Sequence, residues 1–303
     1  MAELKNEFTW SFSRAQAFES CRRRYWFRYH AFWGGWRSDA PELARRAYFF
    51  SKMTALPMLI GSAVHETIAD VLRAKQGGRE PKSPFEQVRL RLNEAWLSSK
   101  NERWREVGPK QAPPLFEHWY GVPPSKEELA GWRDRAQASI RGFLESELYR
   151  QILRAGPAAF RSIDQLETSA IDGVPCFVAP DFAFVHGEET WIIDWKSGDT
   201  RDGYALQLLA YAEHARQKWR LEPSRIRAFD LFLTRGEQVE VPVSEEALAG
   251  ARREIRASAE TMRPLVQREE LPPTTDPAEC RRCFFRELCD ERPDRGPLTP
   301  TTT

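Results

Sequence analysis

Two aspartates lie where the sequence predicts the strands of a β-hairpin. Runs rich in Val, Ile, Phe and Trp flank residues 186–189, HGEE, which have the composition of a hairpin loop. If this four-residue loop connects the strands, Val185 lies opposite Thr190, and counting back along both strands places Asp181 opposite Asp194. Directly opposed residues share a face of the sheet, so the sequence predicts a pair of neighbouring carboxylates.

A cation is needed near such a pair. The β carbons of directly opposed residues are about 5 Å apart, where two like charges destabilise each other unless positive charge lies between them. A divalent metal ion would satisfy Asp181 and Asp194, and Lys196 points to the same side because side chains alternate along a strand. The alternative is that the three side chains decorate a solvated face. Ala183 and Ile192 on that face favour partial burial, and a loop one residue longer or shorter would separate the pair.

Two predicted helices carry further polar residues that could reach this hairpin. Residues 61–74, GSAVHETIADVLRA, are predicted to form a helix with His65 at the margin of its apolar stripe. The stripe comprises Val64, Ile68, Val71 and Leu72. A histidine at such a margin is more often a boundary residue than a metal ligand. In a helix that follows the hairpin, Gln207 and Tyr211 lie four residues apart on one face.

The remaining pattern is typical of an α/β chain. Helical periodicity covers the N-terminal half of the sequence, and strand periodicity begins near residue 165. The expected elements are a first helix capped by Ser11 or Ser13 and running to about residue 29, a helical insertion at about 75–160, a strand near 165–171, the hairpin, a helix, strands near 226–234 and 239–243, and a helix capped by Ser244.

Cysteines near both ends of the chain have the spacing of metal ligands. Cys280, Cys283 and Cys289 are separated by two and five residues, and three thiols this close can converge on one metal centre. A tetrahedral thiolate site takes a fourth ligand, for which Cys21 is the candidate. The spacing does not distinguish zinc from an iron-sulfur cluster, and reduced cysteines without a metal remain the alternative. Cys176 shares the strand parity of core phenylalanines and is assigned to the core.

Composition excludes some classes of protein. The 45 basic and 44 acidic residues nearly cancel, so any surface that attracts nucleic acid must be local. The sequence has neither an apolar run of membrane-spanning length nor a basic segment followed by an apolar one at its start, so we expect a cytoplasmic protein without membrane contact. In that compartment cysteines serve as metal ligands or apolar residues rather than in disulfides. Residues 291–303 are expected to be a disordered tail.

Taken together, the motifs resemble those of the PD-(D/E)XK nuclease superfamily. Gly61 to His65 is similar to its G-x-x-x-H helix, Pro180-Asp181 to its PD, Asp194 to Lys196 to its (D/E)-x-K, and Gln207 to Tyr211 to its Q-x-x-x-Y helix. The cysteine pattern resembles that of the RecB-like and AddB-like four-cysteine iron-sulfur branch, which includes CRISPR-associated iron-sulfur exonucleases. Each motif is weak alone, but five in this order make a specific signal.

This resemblance implies a fold and a set of ligands. The fold is a restriction-endonuclease-like core, a mixed central sheet flanked by helices, in one domain over residues 1–290 with the helical insertion. The implied ligands of Mg²⁺ or Mn²⁺ are His65, Asp181, Asp194 and the backbone carbonyl of Trp195. The implied ligands of a 4Fe-4S cluster, with zinc as the other occupant, are Cys21, Cys280, Cys283 and Cys289, which would join the chain ends.

The implied activity is hydrolysis of phosphodiester bonds in DNA. Lys196 would orient the attacking water and stabilise developing charge, and Gln207 and Tyr211 would steady the lysine or the DNA backbone. We expect an exonuclease that acts on single strands or DNA ends, with protein partners in repair, recombination or defence complexes. The alternatives are a non-catalytic DNA-binding or adaptor module on the same fold and a structure-specific endonuclease.

Overall fold

The computed structural model describes residues 5–198, 204–265 and 271–294. The chain divides into two units, each assembled from segments that are distant in sequence. The first unit comprises residues 1–56, 94–124 and 257–303, and the second comprises residues 57–93 and 125–256. The expected bounds of a single domain and of its insertion stay predictions. Residues 295–303 of the expected tail lie outside the described residues.

The elements follow one another in the order that the sequence predicts, but two strands are additional. Phe160–Ile163 is not among the predicted strands, and Val174–Val178 is a strand separate from the hairpin that follows it. The helices are α1 (Phe12–Ser20), α2 (Arg22–Trp26), α3 (Glu42–Lys52), α4 (Leu56–Gln76), α5 (Pro84–Lys100), α6 (Trp104–Val107), α7 (Phe116–Trp119), α8 (Lys126–Glu145), α9 (Glu147–Ala155), α10 (Tyr204–Trp219), α11 (Glu245–Met262) and α12 (Pro277–Arg281). The strands are β1 (Phe160–Ile163), β2 (Glu167–Ile171), β3 (Val174–Val178), β4 (Phe182–His186), β5 (Glu189–Lys196), β6 (Ile226–Phe232) and β7 (Glu237–Val241).

The second unit is built on a mixed five-stranded sheet in the order β1-β4-β5-β6-β7. β5 and β6 run parallel, and their neighbours pair antiparallel. A parallel pair needs a crossover connection, which α10 provides. β2 and β3 form a separate two-stranded sheet. The prediction of an α/β fold with a mixed sheet flanked by helices is therefore confirmed, and no helix in the described ranges is long and apolar enough to cross a membrane.

Helices cover both faces of the central strand β5. The Trp195 ring contacts Phe143 of α8, with ring centroids 5.3 Å apart. The next side chain, Lys196, points to the opposite face and contacts Gln207 of α10. Residues 190–196 are all buried, so the carboxylate face of the hairpin is not a solvated surface.

The predicted register of the hairpin is confirmed, although its loop is shorter than expected. Val185 pairs with Thr190, and the ladder continues to a pair formed by residues 186 and 189, so the turn consists of Gly187 and Glu188 alone. Gly187 has a φ of 63°, a conformation that favours glycine. The loop differs from the expected one by two residues, and an even difference leaves every side chain on its predicted face.

The first helix of the sequence prediction is wrong as one continuous element. Ser11 caps α1 as expected, but α1 ends before Cys21, whose backbone is extended at φ −163° and ψ 110°. Cys21 then caps α2, and a π-helical turn covers Phe27–Ala31. The break lets Cys21 serve as a cap instead of lying along a helix face. The apolar core beside it comprises Phe27, Ala47, Phe50, Met53, Phe284 and Phe285.

Close packing of α8 on the end of β6 gives a stability prediction. A β carbon at Gly142 would overlap the backbone oxygen of Leu233, whereas one at Gly131 on the same helix would meet nothing within 4 Å. We expect Gly142→Ala to lower the free energy of unfolding by about 1–3 kcal/mol, as overpacking does. We expect Gly131→Ala to raise it by up to about 1 kcal/mol, because alanine favours the helix. Urea unfolding of both variants checks this, and equal shifts would contradict it.

Candidate active site

Asp181 and Asp194 meet at the point where β4 begins beside β5. The last pair of the hairpin ladder joins Phe182 to Ile193, so the two aspartates are the next residues along each strand. Asp181 Oδ2 accepts a hydrogen bond of 2.7 Å from the backbone amide of Trp195. The N–H and C=O of one strand residue point toward the same neighbour, which directs the Trp195 carbonyl toward Asp181 as well.

His65 joins the aspartates from α4. Its Nδ1 lies 3.0 Å from Asp181 Oδ1. Gly61, one turn earlier on α4, lies beside the residue that follows β5, and a β carbon there would lie 3.3 Å from Ser197 Oγ. Burial lowers the pKa of His65, but the charge and hydrogen bond of Asp181 outweigh burial and raise the pKa to about 9. The imidazole is therefore protonated at neutral pH and can donate a hydrogen bond to the Asp181 carboxylate.

Lys196 is held by carboxylate and amide oxygens. Its Nζ lies 2.6 Å from Asp194 Oδ2 and donates a hydrogen bond of 3.0 Å to Gln207 Oε1. Gln207 Nε2 in turn donates to the Tyr211 hydroxyl at 2.9 Å. Gln207 and Tyr211 lie one turn apart on α10, so Tyr211 can orient the Gln207 amide. That amide in turn holds the Lys196 ammonium group. The structure thus brings together the six side chains that the motifs singled out, while their individual roles stay predictions.

Burial sets the protonation of these groups. Burial and then the nearby Asp181 raise the pKa of Asp194 to about 7, against the opposing charge of Lys196. Burial lowers the pKa of Lys196, but Asp194 and Asp230 outweigh it and raise the pKa above its usual value. Burial also raises the pKa of Tyr211, so its hydroxyl stays neutral. Lys196 therefore stays positively charged. Its single positive charge does not offset the burial of Asp194 and the repulsion from Asp181.

Sequence reasoning missed two neighbours of Lys196. Asp230 of β6 lies with its Oδ1 3.4 Å from Lys196 Nζ and is 4% exposed. The ring of Tyr204, at the start of α10, lies 3.7 Å from the same ammonium group and adds a cation–π contact. A charged residue inside the apolar run IRAFDLF was the signal available for Asp230. Tyr204 had no comparable signal, because an aromatic residue at a helix start is common.

The donor set of His65, Asp181 and Asp194 suits a hard divalent cation. The two carboxylates are ligands of the kind that Mg²⁺ and Mn²⁺ prefer, whereas an imidazole nitrogen is more typical of transition-metal sites. In the described residues, no group of three or more His, Cys, Asp or Glu side chains is arranged to hold a metal ion. His65 and Asp181 hydrogen-bond to each other, and Asp194 pairs with Lys196, so the three side chains do not point at one common position. The residues therefore fit the ion chemically, and binding would exchange these contacts for metal contacts.

In the first unit, the four cysteines of the sequence prediction line one cavity. Cys21 and Cys280 are buried, and Cys283 and Cys289 are partly buried. Backbone amides of Arg24 and Thr274 each donate to the Cys21 sulfur at 3.4 Å. The same cavity is lined by Arg23, Arg24, Arg286 and Arg292. Amide donors and arginines around sulfur would stabilise the thiolates of a bound metal site once the protons had been released.

For three of these cysteines, burial favours the protonated thiol. Burial raises the pKa of Cys280 to about 11 and that of Cys283 to about 12. It also raises the pKa of Cys289, despite the opposing charge of Arg23. Metal binding would have to release these protons. Cys176 lies apart from this group in β3 and is fully buried, which confirms its assignment to the core.

Comparison with known proteins identifies the family. Residues 9–290 match the family model of the PD-(D/E)XK nuclease superfamily. A solved structure from Eubacterium rectale, named as a candidate exonuclease, shares 16% identity over 78% of this chain and 90% of that chain, with a TM-score of 0.36. Another, named SSO0001, shares 16% identity over 65% of this chain and 84% of that chain, with a TM-score of 0.29.

No curated protein has a significant match to the sequence. The family model, in contrast, covers far more than half of the residues. The chain therefore belongs to the PD-(D/E)XK nuclease superfamily.

Proposed function

We propose that this chain is a Mg²⁺- or Mn²⁺-dependent nuclease that hydrolyses phosphodiester bonds in DNA. The observation that carries the proposal is the meeting of Asp181, Asp194 and Lys196 with His65 at one covered end of the hairpin. A buried carboxylate with a raised pKa, that of Asp194, beside a buried ammonium group is costly to maintain in a purely structural role. Membership of a nuclease superfamily supports a hydrolytic role for the side chains of this cluster.

The residues would divide the work as follows. His65, Asp181, Asp194 and the Trp195 carbonyl would hold the divalent ion. When bound, that ion would lower the pKa of the attacking water and neutralise charge on the phosphodiester in the transition state. Lys196 keeps its proton because its neighbouring carboxylates raise its pKa, so it would stabilise developing negative charge rather than act as the base. Gln207, hydrogen-bonded to Tyr211, would hold the ammonium group in that position.

We further propose that the four cysteines hold a 4Fe-4S cluster, as in the RecB-like and AddB-like branch. The support is the shared cavity, the amide donors to Cys21 and the arginines that surround the sulfurs. Zinc is the other occupant compatible with four thiolates. Such a site would fasten α2 and α12 together and would need the reduced thiols of a cytoplasmic protein.

The mode of cleavage is proposed from the same resemblance. The cysteine pattern resembles that of a branch that includes CRISPR-associated exonucleases, so we propose an exonuclease acting on single strands or DNA ends. Partners in repair, recombination or defence complexes follow from the same resemblance.

The nuclease proposal has a direct test in a time course on end-labelled single- and double-stranded DNA with Mn²⁺. We expect Asp194→Ala and Lys196→Ala each to slow cleavage about 100-fold or more, because each removes charge that acts on the transition state. Glu188→Gln is the matched control, since that acid lies at the turn of the same hairpin with a side chain 82% exposed. Cleavage by the alanine variants at the parent rate would refute the assignment, and DNA binding without cleavage would support the adaptor alternative.

The exonuclease proposal makes a separate prediction. We expect linear DNA to be degraded progressively and covalently closed circular DNA to persist under the same conditions, because a circle has no end. Gel analysis of both substrates in one reaction with Mn²⁺ measures this. Nicking or linearisation of the circle would identify an endonuclease and overturn the proposed mode while leaving the nuclease assignment intact.

For the cysteine site, we expect the anaerobically purified protein to be brown, with broad visible absorption and bound iron. Cys283→Ser should lose the colour, because one of four thiolate ligands is removed. Cys176→Ala should keep it, since that thiol lies in the core of the second unit. A colourless protein with one bound zinc per chain would replace the iron-sulfur assignment with a zinc site.

A further inference from the structure

We propose that Asp230 is a positioning residue that acts through Lys196, holding the ammonium group in place once Asp194 is shared with a metal ion. This inference rests on the proposed nuclease function. The strand register is the first observation, because Asp194 and Asp230 are direct Cα partners in the parallel β5–β6 pair. Lys196, two residues further on, is reached by both carboxylates, at 2.6 Å from Asp194 and 3.4 Å from Asp230.

Burial is the second observation. Lys196 is 8% exposed and Asp230 is 4% exposed, so neither charge is solvated well enough to stand alone. Among the described residues, Lys196 is the cation that pairs with Asp230. Glu213 shows the contrast, since this buried acid on α10 is paired with Arg216 and hydrogen-bonded by Gln217. The pairing of the buried Asp230 carboxylate with Lys196 indicates that its charge acts on that lysine.

The contact geometry separates Asp230 from a simple hydrogen-bonding partner. Although the ion pair with Lys196 measures 3.4 Å, Asp230 Oδ1 is buried and has no hydrogen-bond partner among the described residues. A buried carboxylate oxygen without a hydrogen bond costs free energy. Such an oxygen can still attract the ammonium group through charge. We therefore infer that Asp230 influences the position of the Lys196 ammonium group.

The need for a second carboxylate follows from the role proposed for Asp194. A carboxylate that also binds a divalent cation attracts a neighbouring ammonium group less strongly, because the metal neutralises its charge. Gln207 offers Lys196 only a neutral oxygen, at 3.0 Å. Asp230, which would hold no metal ion, presents a second carboxylate to the ammonium group on the β6 side. Lys196 can then stay in position as the charges at the centre change.

The first test measures kcat and KM for single-stranded DNA with Mn²⁺, together with Mn²⁺ affinity by calorimetry. We expect Asp230→Asn, which keeps the shape and removes the charge, to lower kcat about 10- to 100-fold. KM and Mn²⁺ affinity should stay within about twofold of the parent values, because the proposed role involves contact with neither DNA nor metal. Asp230→Glu should recover part of kcat. A parental kcat in Asp230→Asn overturns the proposal, and a loss of Mn²⁺ affinity makes Asp230 a metal ligand instead.

Glu213→Gln is the matched control for loss of a buried acid in the same unit. We expect it to lower the urea midpoint of unfolding while kcat stays at the parent value, since its partners are Arg216 and Arg252. If Asp230→Asn behaves like this control, with a lower midpoint and unchanged kcat, Asp230 is merely structural and the proposal fails.

A double-mutant cycle tests the pairing without any activity. In the parent, Asp230→Asn should lower the urea midpoint because a buried ion pair is broken. In a Lys196→Met background, the same change should raise the midpoint, because it removes a buried carboxylate that has lost its cation. Equal shifts in both backgrounds would overturn the pairing. If the parent cleaves no DNA, the nuclease proposal fails, whereas this cycle still decides whether Asp230 acts on Lys196.

Discussion

A buried ammonium group requires negative charge around it, and the contacts of Lys196 are the interaction on which the centre of the second unit depends. β5 supplies the lysine and Asp194, β6 supplies Asp230, and α10 supplies Gln207. Each element must hold its register for the charges to meet. A shift of β6 by one residue would turn Asp230 to the opposite face and leave an apolar side chain beside the lysine.

Local pattern was enough to predict the hairpin and the helix that faces it. The register Val185 to Thr190 follows from alternation and from an even difference in loop length. The helix over 61–74 lies inside α4, and its four stripe residues are at most 1% exposed. These features depend on periodicity, which a sequence displays directly.

Features that depend on tertiary contacts could not be predicted in this way. Asp230 lies in a largely apolar strand. Its contact with Lys196 depends on the parallel pairing of β6 with β5, which the local sequence does not reveal. The extended backbone of Cys21 interrupts a segment whose composition favours a helix, so local propensity gave the wrong answer. β1 is only four residues long and is fixed by its pairing with β4.

The mixed direction of the sheet has a consequence for the order in which the centre assembles. β4 and β5 are joined by a two-residue turn, so the two aspartates and Lys196 can come together early, through contacts that are close in sequence. Asp230 arrives only after α10 has formed and β6 has docked in parallel, which closes a much longer loop. During the interval, Lys196 has a single carboxylate on its own strand. We therefore expect the central charge network to be completed late in folding, so that slow docking of β6 would leave chains with a formed hairpin but an unfinished centre.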